Sequence, residues 1–283
     1  MNIDNSDYYK KNRKRTLEDI QLILEKSKTK KKPEIDDFKN IFKESSDQIT
    51  DSWKKGRKYS RTIFLQEAFG DQFPDNYLDF SLSIDVMVNI LDDFLDENLS
   101  SEIKKNYVIE FLRNFSFYNY KETPKEIRDA TALYMSKLIT LAVSEKSFEE
   151  NVKKLTNFDK IVDISIDLLK LRSMDIEIFT QIALIDNNDK QKEVIEISKL
   201  FRALNIFKKD IIDIPHDKEN GMETIVTLVL DKDISFKKYT DRIFDEFIKE
   251  AKTLKEGKKN KIIENFYKMM IEDREEVNNI LNK

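Results

Sequence analysis

Cysteine is absent from this chain of 283 residues. Disulfides, thiolate metal centres and cysteine nucleophiles are therefore excluded. A single histidine argues against a histidine-built zinc site or a serine–histidine triad. With only 4 Gly and 4 Pro, the chain lacks the turn punctuation that a many-stranded β protein needs. No uninterrupted apolar run is long enough to span a bilayer, and no signal-peptide pattern opens the sequence. The expectation is a soluble, cytoplasmic protein without a transmembrane segment.

What remains is 37% charged and 40% hydrophobic residues, set in long segments rich in Lys, Glu, Ile and Leu. Such segments predict an all-α protein. The length suits one large domain or two small ones. No internal repeat and no linker divides it, so a single domain over 1–283 is expected. A formal net charge of −4 weighs against general nucleic-acid binding.

In chain order, Met1–Lys32 reads as a peripheral helix with a lysine-rich end, and Pro33 starts the next. Asp51–Gly70 places the basic cluster Lys54, Lys55, Arg57, Lys58 and Arg61 before an apolar helix that Gly70 ends. Pro74 opens a helix containing Asp79–Glu97, DFSLSIDVMVNILDDFLDE. Another helix covers Ser100–Tyr120. Thr123-Pro124-Lys125-Glu126 is a capping box for a helix to about Val143, and Ser147-Phe148-Glu149-Glu150 is a weaker one. Asn157–Ile185 and Asp189–Ile214 are long apolar helices, with Pro215 expected to end or kink the second. A polar loop, HDKENG, leads through Gly221 into the apolar Met222–Leu230. Helices at about Phe236–Leu254 and Lys259–Leu281 close the chain.

The carboxylates are oddly placed. Asp85, Asn89, Asp92, Asp93 and Asp96 share one face of one of the most apolar stretches of the chain. Carboxylates so crowded repel one another and lose hydration, so they call for cations. A cluster of hard oxygen ligands suits Mg²⁺ shared with substrate phosphates. Asp210 and Asp213 share a face of the later helix, and Asp217 extends it by a turn. Arg172 lies inside an apolar helix, where it needs an anionic partner. Its bland explanation is an ion pair with Asp175 at the helix surface. The bland explanation of both acidic stripes is a solvated helix face. If instead the stripes face each other across a cavity, they can hold several Mg²⁺ ions around a diphosphate, with Arg172 and the basic cluster neutralising the rest. Ionisation of an allylic diphosphate is then the chemistry to which such a site, with dry apolar walls, is suited.

The DDFLD segment (Asp92, Asp93, Asp96) resembles the first aspartate-rich motif of the class I isoprenoid synthases. Gly56-Arg57-Lys58-Tyr59-Ser60-Arg61 and the following TIFLQEAFG resemble the isopentenyl-diphosphate-binding segment of the trans-prenyl (polyprenyl) diphosphate synthases. Leu171-Arg172-Ser173 falls where that family has a diphosphate-contacting Lys-Thr pair. NIFKKDIID, Asn205–Asp213, resembles the second aspartate-rich motif, and GMETIVTL the segment after it. The matches run in order from about Trp53 to Leu230.

The resemblance implies about a dozen helices around a central cavity. It implies Mg²⁺ held by Asp92, Asp93 and Asp96 on one wall and by Asp210, Asp213 and Asp217 on the other. Prenyl diphosphates would be bound by Arg57, Lys58, Arg61, Arg172 and Lys209, with Asp92, Asp96 and Arg172 central to catalysis. The implied activity is prenyl transfer with chain elongation, by a transferase of isoprenoid biosynthesis that is usually a homodimer. Its product length would be set below the first motif by residues such as Phe80, Met87, Val88 and Leu91. The chain also departs from the pattern. Lys209 replaces the first Asp of the second motif, and no arginine pair follows DDFLD.

Other branches of the superfamily match some residues better. Arg172-Ser173-Met174-Asp175 resembles the diphosphate-sensing Arg and linker Asp of terpene cyclases. Asp213-Ile214-Pro215-His216-Asp217 has the DxxxD spacing of the squalene and phytoene synthases, which join two prenyl diphosphates head to head. A non-catalytic partner subunit of a prenyl synthase and a lipid- or isoprenoid-binding helical protein stay open beside the enzyme.

Overall fold

A computed structural model describes residues 60–74, 81, 134, 147–185, 191–219, 221–256 and 260–282. Among these residues helix dominates and no strand occurs, so the protein is all-α. The chain divides into two compact units, Met1–Ile63 with Asn76–Phe111, and Phe64–Asp75 with Leu112–Lys283. In the first unit, the hydroxyls of Thr62 and Ser81, both buried, are 2.9 Å apart. The helices expected at 1–32, after Pro33, at 100–120 and over most of 74–97 and 123–143 lie outside the described residues.

Helix α1 is Ser60–Phe69. Gly70 follows with φ of +55°, a left-handed conformation that costs glycine little, and opens a 3-10 turn, Gly70–Gln72. This is the stop expected at that glycine. Helix α2, Phe158–Arg172, starts where Asn157 accepts a hydrogen bond from the Lys160 amide. A 3-10 turn, Ser173–Ile176, separates it from α3, Glu177–Ala183. The sequence suggested one unbroken helix here. The turn instead falls directly after Arg172, where the Ser173 hydroxyl donates to the Lys170 carbonyl. Such side-chain bonds to the backbone compete with regular helix. Ser147, expected to cap a helix, is itself helical within the stretch 147–154.

Helix α4, Gln191–Glu219, is the hub of the second unit. It packs against α2, the 3-10 turn, α3, α5 (Ile225–Leu230), α6 (Phe236–Lys255) and α7 (Lys261–Leu281). Its middle, Leu200 to Lys208, is buried all round, as a central helix must be. The outer helices carry one buried stripe each. In α6 it is Tyr239, Thr240, Ile243, Phe244, Phe247, Ile248 and Ala251, the helical period written in sequence. Aromatic edges fill the core around α4. Phe201 meets Phe64 at 5.2 Å and Phe266 at 5.6 Å, and Phe207 meets Tyr239 and Phe244 at 5.8 Å. Each fully buried aromatic contributes on the order of 1.5–3 kcal/mol from its area alone.

Pro215 does not end α4. The helix runs through it to Glu219, so His216 to Glu219, read from sequence as loop, are helical. The stop is Gly221, with φ of +64°. The Met222 amide donates to the Asp217 carbonyl at 2.8 Å and the Gly221 amide to the Lys218 carbonyl at 3.3 Å. That paired closure around a left-handed glycine is a Schellman cap. A proline removes one ladder bond, whereas the glycine supplies bonds that satisfy the terminal carbonyls. Thr224 then caps α5 in a reciprocal capping box with Thr227.

Candidate functional site

The acidic residues of the second expected motif stand on the C-terminal third of α4. Asp210, Asp213 and Asp217 are spaced three and four apart, and because the helix continues past Pro215 they share one face. Asp210 and Asp217 are buried and Asp213 is half-buried. Around Asp210 the helix carries the buried apolar residues Ile206, Phe207, Ile211 and Ile212.

Arg172, the last residue of α2, reaches this row. Its Nη1 donates to Asp210 Oδ2 at 2.5 Å and its Nη2 to Oδ1 at 3.4 Å, so both oxygens of one carboxylate face one guanidinium. Asp175, the acid suggested by sequence proximity, is held elsewhere. Arg202 on α4 donates from Nε to both Asp175 oxygens at 3.0 and 3.1 Å and from Nη2 at 2.7 Å, while its Nη1 reaches Asn205 Oδ1 at 3.1 Å. Arg202 and Asp175 are both buried, so this fork ties the 3-10 turn after Arg172 to α4.

Asp217 is 6% exposed, and among the described residues no side chain gives its carboxylate a hydrogen bond or ion pair. Burial pushes its pKa up, and the negative charges of Asp213 and Asp210 push the same way. His216 and Lys209 offset part of this. Lys209, half-buried, is thus close enough to Asp217 to act on it electrostatically.

Next to the row lies a second buried charge pair that the sequence reading did not single out as a site. Lys208 Nζ donates to Asp273 Oδ1 on α7 and, at 3.2 Å, to Glu276. Lys208 and Asp273 are almost fully buried, and burial raises the Asp273 pKa despite the ammonium beside it. The signal available in sequence for both Arg202 and Lys208 was the same as for Arg172: a cation inside an apolar helical run. Their partners, 27 and 65 residues away, had no local signal.

Arg61 lies buried in the first turn of α1. Arg57, Lys58, Asp92, Asp93 and Asp96 lie outside the described residues, as do the candidate length-determining positions Phe80, Met87, Val88 and Leu91. Among the described residues no group of three or more His, Asp or Glu side chains is gathered closely enough to hold a metal ion by itself. None of their helices is long and apolar enough to cross a membrane.

A scan against protein-family models matches none, and searches among curated proteins and solved structures find no significant match.

Proposed function

We propose that the protein is a Mg²⁺-dependent isoprenoid synthase acting on allylic prenyl diphosphates by prenyl transfer and chain elongation. The observation that carries this reading is the row Asp210, Asp213, Asp217 on a buried helix, with an arginine engaged at its first member. The donor set fits magnesium. Its oxygens are hard, the Asp217 carboxyl is held above its usual pKa by burial and by the neighbouring Asp213 and Asp210, and Mg²⁺ is commonly bound through one or two carboxylates completed by substrate phosphates and water. On this reading the row Asp210, Asp213, Asp217 supplies ligands to more than one Mg²⁺, and Asp92, Asp93 and Asp96 are the further ligands that the resemblance implies. Bound magnesium would supply charge stabilisation for the departing diphosphate.

The protein's own groups do the rest. Arg172 offers a planar fork of donors that matches phosphate oxygens, and it orients the diphosphate. Lys209 adds positive charge where the enzymes that the motif resembles place an aspartate. Arg57, Lys58 and Arg61 are assigned to a second diphosphate, that of isopentenyl diphosphate. The buried Ile206, Phe207, Ile211 and Ile212 give the first turns of the row an apolar setting of the kind such ionisation chemistry needs.

A second reading, head-to-head condensation of two prenyl diphosphates, is favoured by one specific observation. Asp213 and Asp217 stand one turn apart on an unbroken helix, despite the proline between them. The non-catalytic partner subunit is the reading that Lys209 favours. Purified protein with Mg²⁺ and C5 to C20 allylic diphosphates, with and without isopentenyl diphosphate, separates these. Diphosphate release that needs isopentenyl diphosphate and yields a longer diphosphate supports elongation. Release without it, giving a hydrocarbon of twice the length, supports condensation. No release at any length, alone or mixed with a second prenyl synthase subunit, overturns the enzyme reading.

A further inference from the structure

We propose that Lys208, Asp273 and Glu276 form a proton switch on the seam between α4 and α7: uptake of one proton in mild acid tightens α7 on the core, and its loss toward alkaline pH loosens it. Three observations carry it. Lys208 Nζ donates to Asp273 Oδ1 and, at 3.2 Å, to Glu276 Oε2. Among the described residues it is the one cation that either carboxylate reaches. The three side chains are 3%, 7% and 24% exposed, so two carboxylates share one ammonium where water screens the surplus charge poorly. Asp273 Oδ2 is buried without a well-formed hydrogen bond. That oxygen can take a proton while Oδ1 keeps the ammonium.

The neighbouring groups leave the surplus in place. From α4, the neutral Asn205 amide eases ionisation of Asp273 only in part, and Asn205 Oδ1 accepts from Arg202, whose other donors go to Asp175. From α6, Asp245 accepts from Arg274 at 2.7 Å. Along α7, Lys268 pairs with Glu272 at 3.4 Å. Burial, reinforced by Glu276, therefore holds the Asp273 carboxyl above the usual range against the pull of Lys208. Once α7 has left α4, both carboxyls ionise in the ordinary range. Between that range and the raised value the docked helix binds more protons than the undocked one. Docking thus strengthens as pH falls through the window and is flat above it. Two carboxyls share the proton, so the titration belongs to the pair.

The test is local, because Asp217 gives the whole protein a pH dependence of the same sign. On the full chain, NMR follows the carboxyl carbons of Asp273 and Glu276 from pH 4 to 8, and amide exchange along α7, corrected for the intrinsic effect of pH. One carboxyl of the pair should titrate above its ordinary range. Protection of α7 should rise as pH falls through the window, by up to about tenfold per pH unit, the limit for one proton. Glu276→Gln removes the surplus carboxylate and keeps the pair of Lys208 with Asp273. It should protect α7 better at pH 8 and flatten the profile. Glu275→Gln removes the same charge from an exposed position of the same helix and should leave the profile as it is in the unaltered protein. Carboxyls that both titrate within or below the ordinary range overturn the switch, and this reading of the unaltered chain needs no variant to fold. Protection that ignores pH, or one profile shared by Glu276→Gln and Glu275→Gln, overturns it as well.

Discussion

Replacing Asp217 with Asn should stabilise the protein at neutral pH, and by an amount that can be approached from the structure. Asp217 faces Asp213 one turn away, and a like-charge pair at that spacing costs about 0.2–0.5 kcal/mol even on an exposed helix. It also lies in the last turn of α4, at the negative end of the helix dipole, where an anion costs about 0.3–1 kcal/mol. Burial adds to both. The total falls at about 0.5–2 kcal/mol, the range common for single stabilising substitutions, or a few degrees in Tm. The pH dependence follows from linkage. The folded pKa of Asp217 is raised above its unfolded value, so between the two the native state binds more protons. The stability of the unaltered protein therefore declines as pH rises through that window and is flat above it. The asparagine variant lacks this decline. Its advantage should be full at pH 7 and shrink as acid protonates Asp217. Urea melts followed by circular dichroism from pH 4 to 8 measure this. An asparagine variant less stable at pH 7, or one whose advantage grows toward acid, would refute the electrostatic account of the row.

Other perturbations probe the buried pairs and the helix stop. Arg202→Leu leaves Asp175 buried without its fork and should cost about 3–5 kcal/mol in denaturant melts; the double change with Asp175→Leu should recover most of the loss. Lys208→Met should cost a similar ~3–5 kcal/mol by stranding Asp273. That loss should diminish at acid pH, where Asp273, its pKa already raised by burial, takes up a proton. Gly221→Ala forces a side chain onto a φ of +64° and should cost about 1 kcal/mol. No clash accompanies it, since nothing lies within 4 Å of the added carbon, so a loss several times larger would point to another cause.

The legible parts of the fold were those with a local signature. Scarce glycine and proline announced an all-α chain. Asn157 announced the start of α2, Gly70 the stop of α1, and the apolar period the last two helices, found at Phe236–Lys255 and Lys261–Leu281. Pro215 misled because proline disfavours a helix interior without forbidding it, while Gly221 offered a better ending six residues on. The row Asp210, Asp213, Asp217 was legible from spacing alone. The partner of Arg172 was not. Sequence proximity pointed to Asp175, three residues away, but the 3-10 turn after Arg172 gives Asp175 to Arg202 and leaves Arg172 beside Asp210. Long-range pairs of this kind depend on how helices pack, and no pattern within either helix records it.

The passage of α4 through Pro215 makes its last turn unlike the rest. Position 215 has no amide to offer the carbonyl four residues earlier, so the segment bearing Asp217 hangs from a ladder with a missing rung and is fastened at its far end by the two amides of the glycine cap. The terminal carboxylate therefore rides on the part of the helix that can unwind without disturbing Asp210, and amide exchange there should outpace that of the buried stretch upstream.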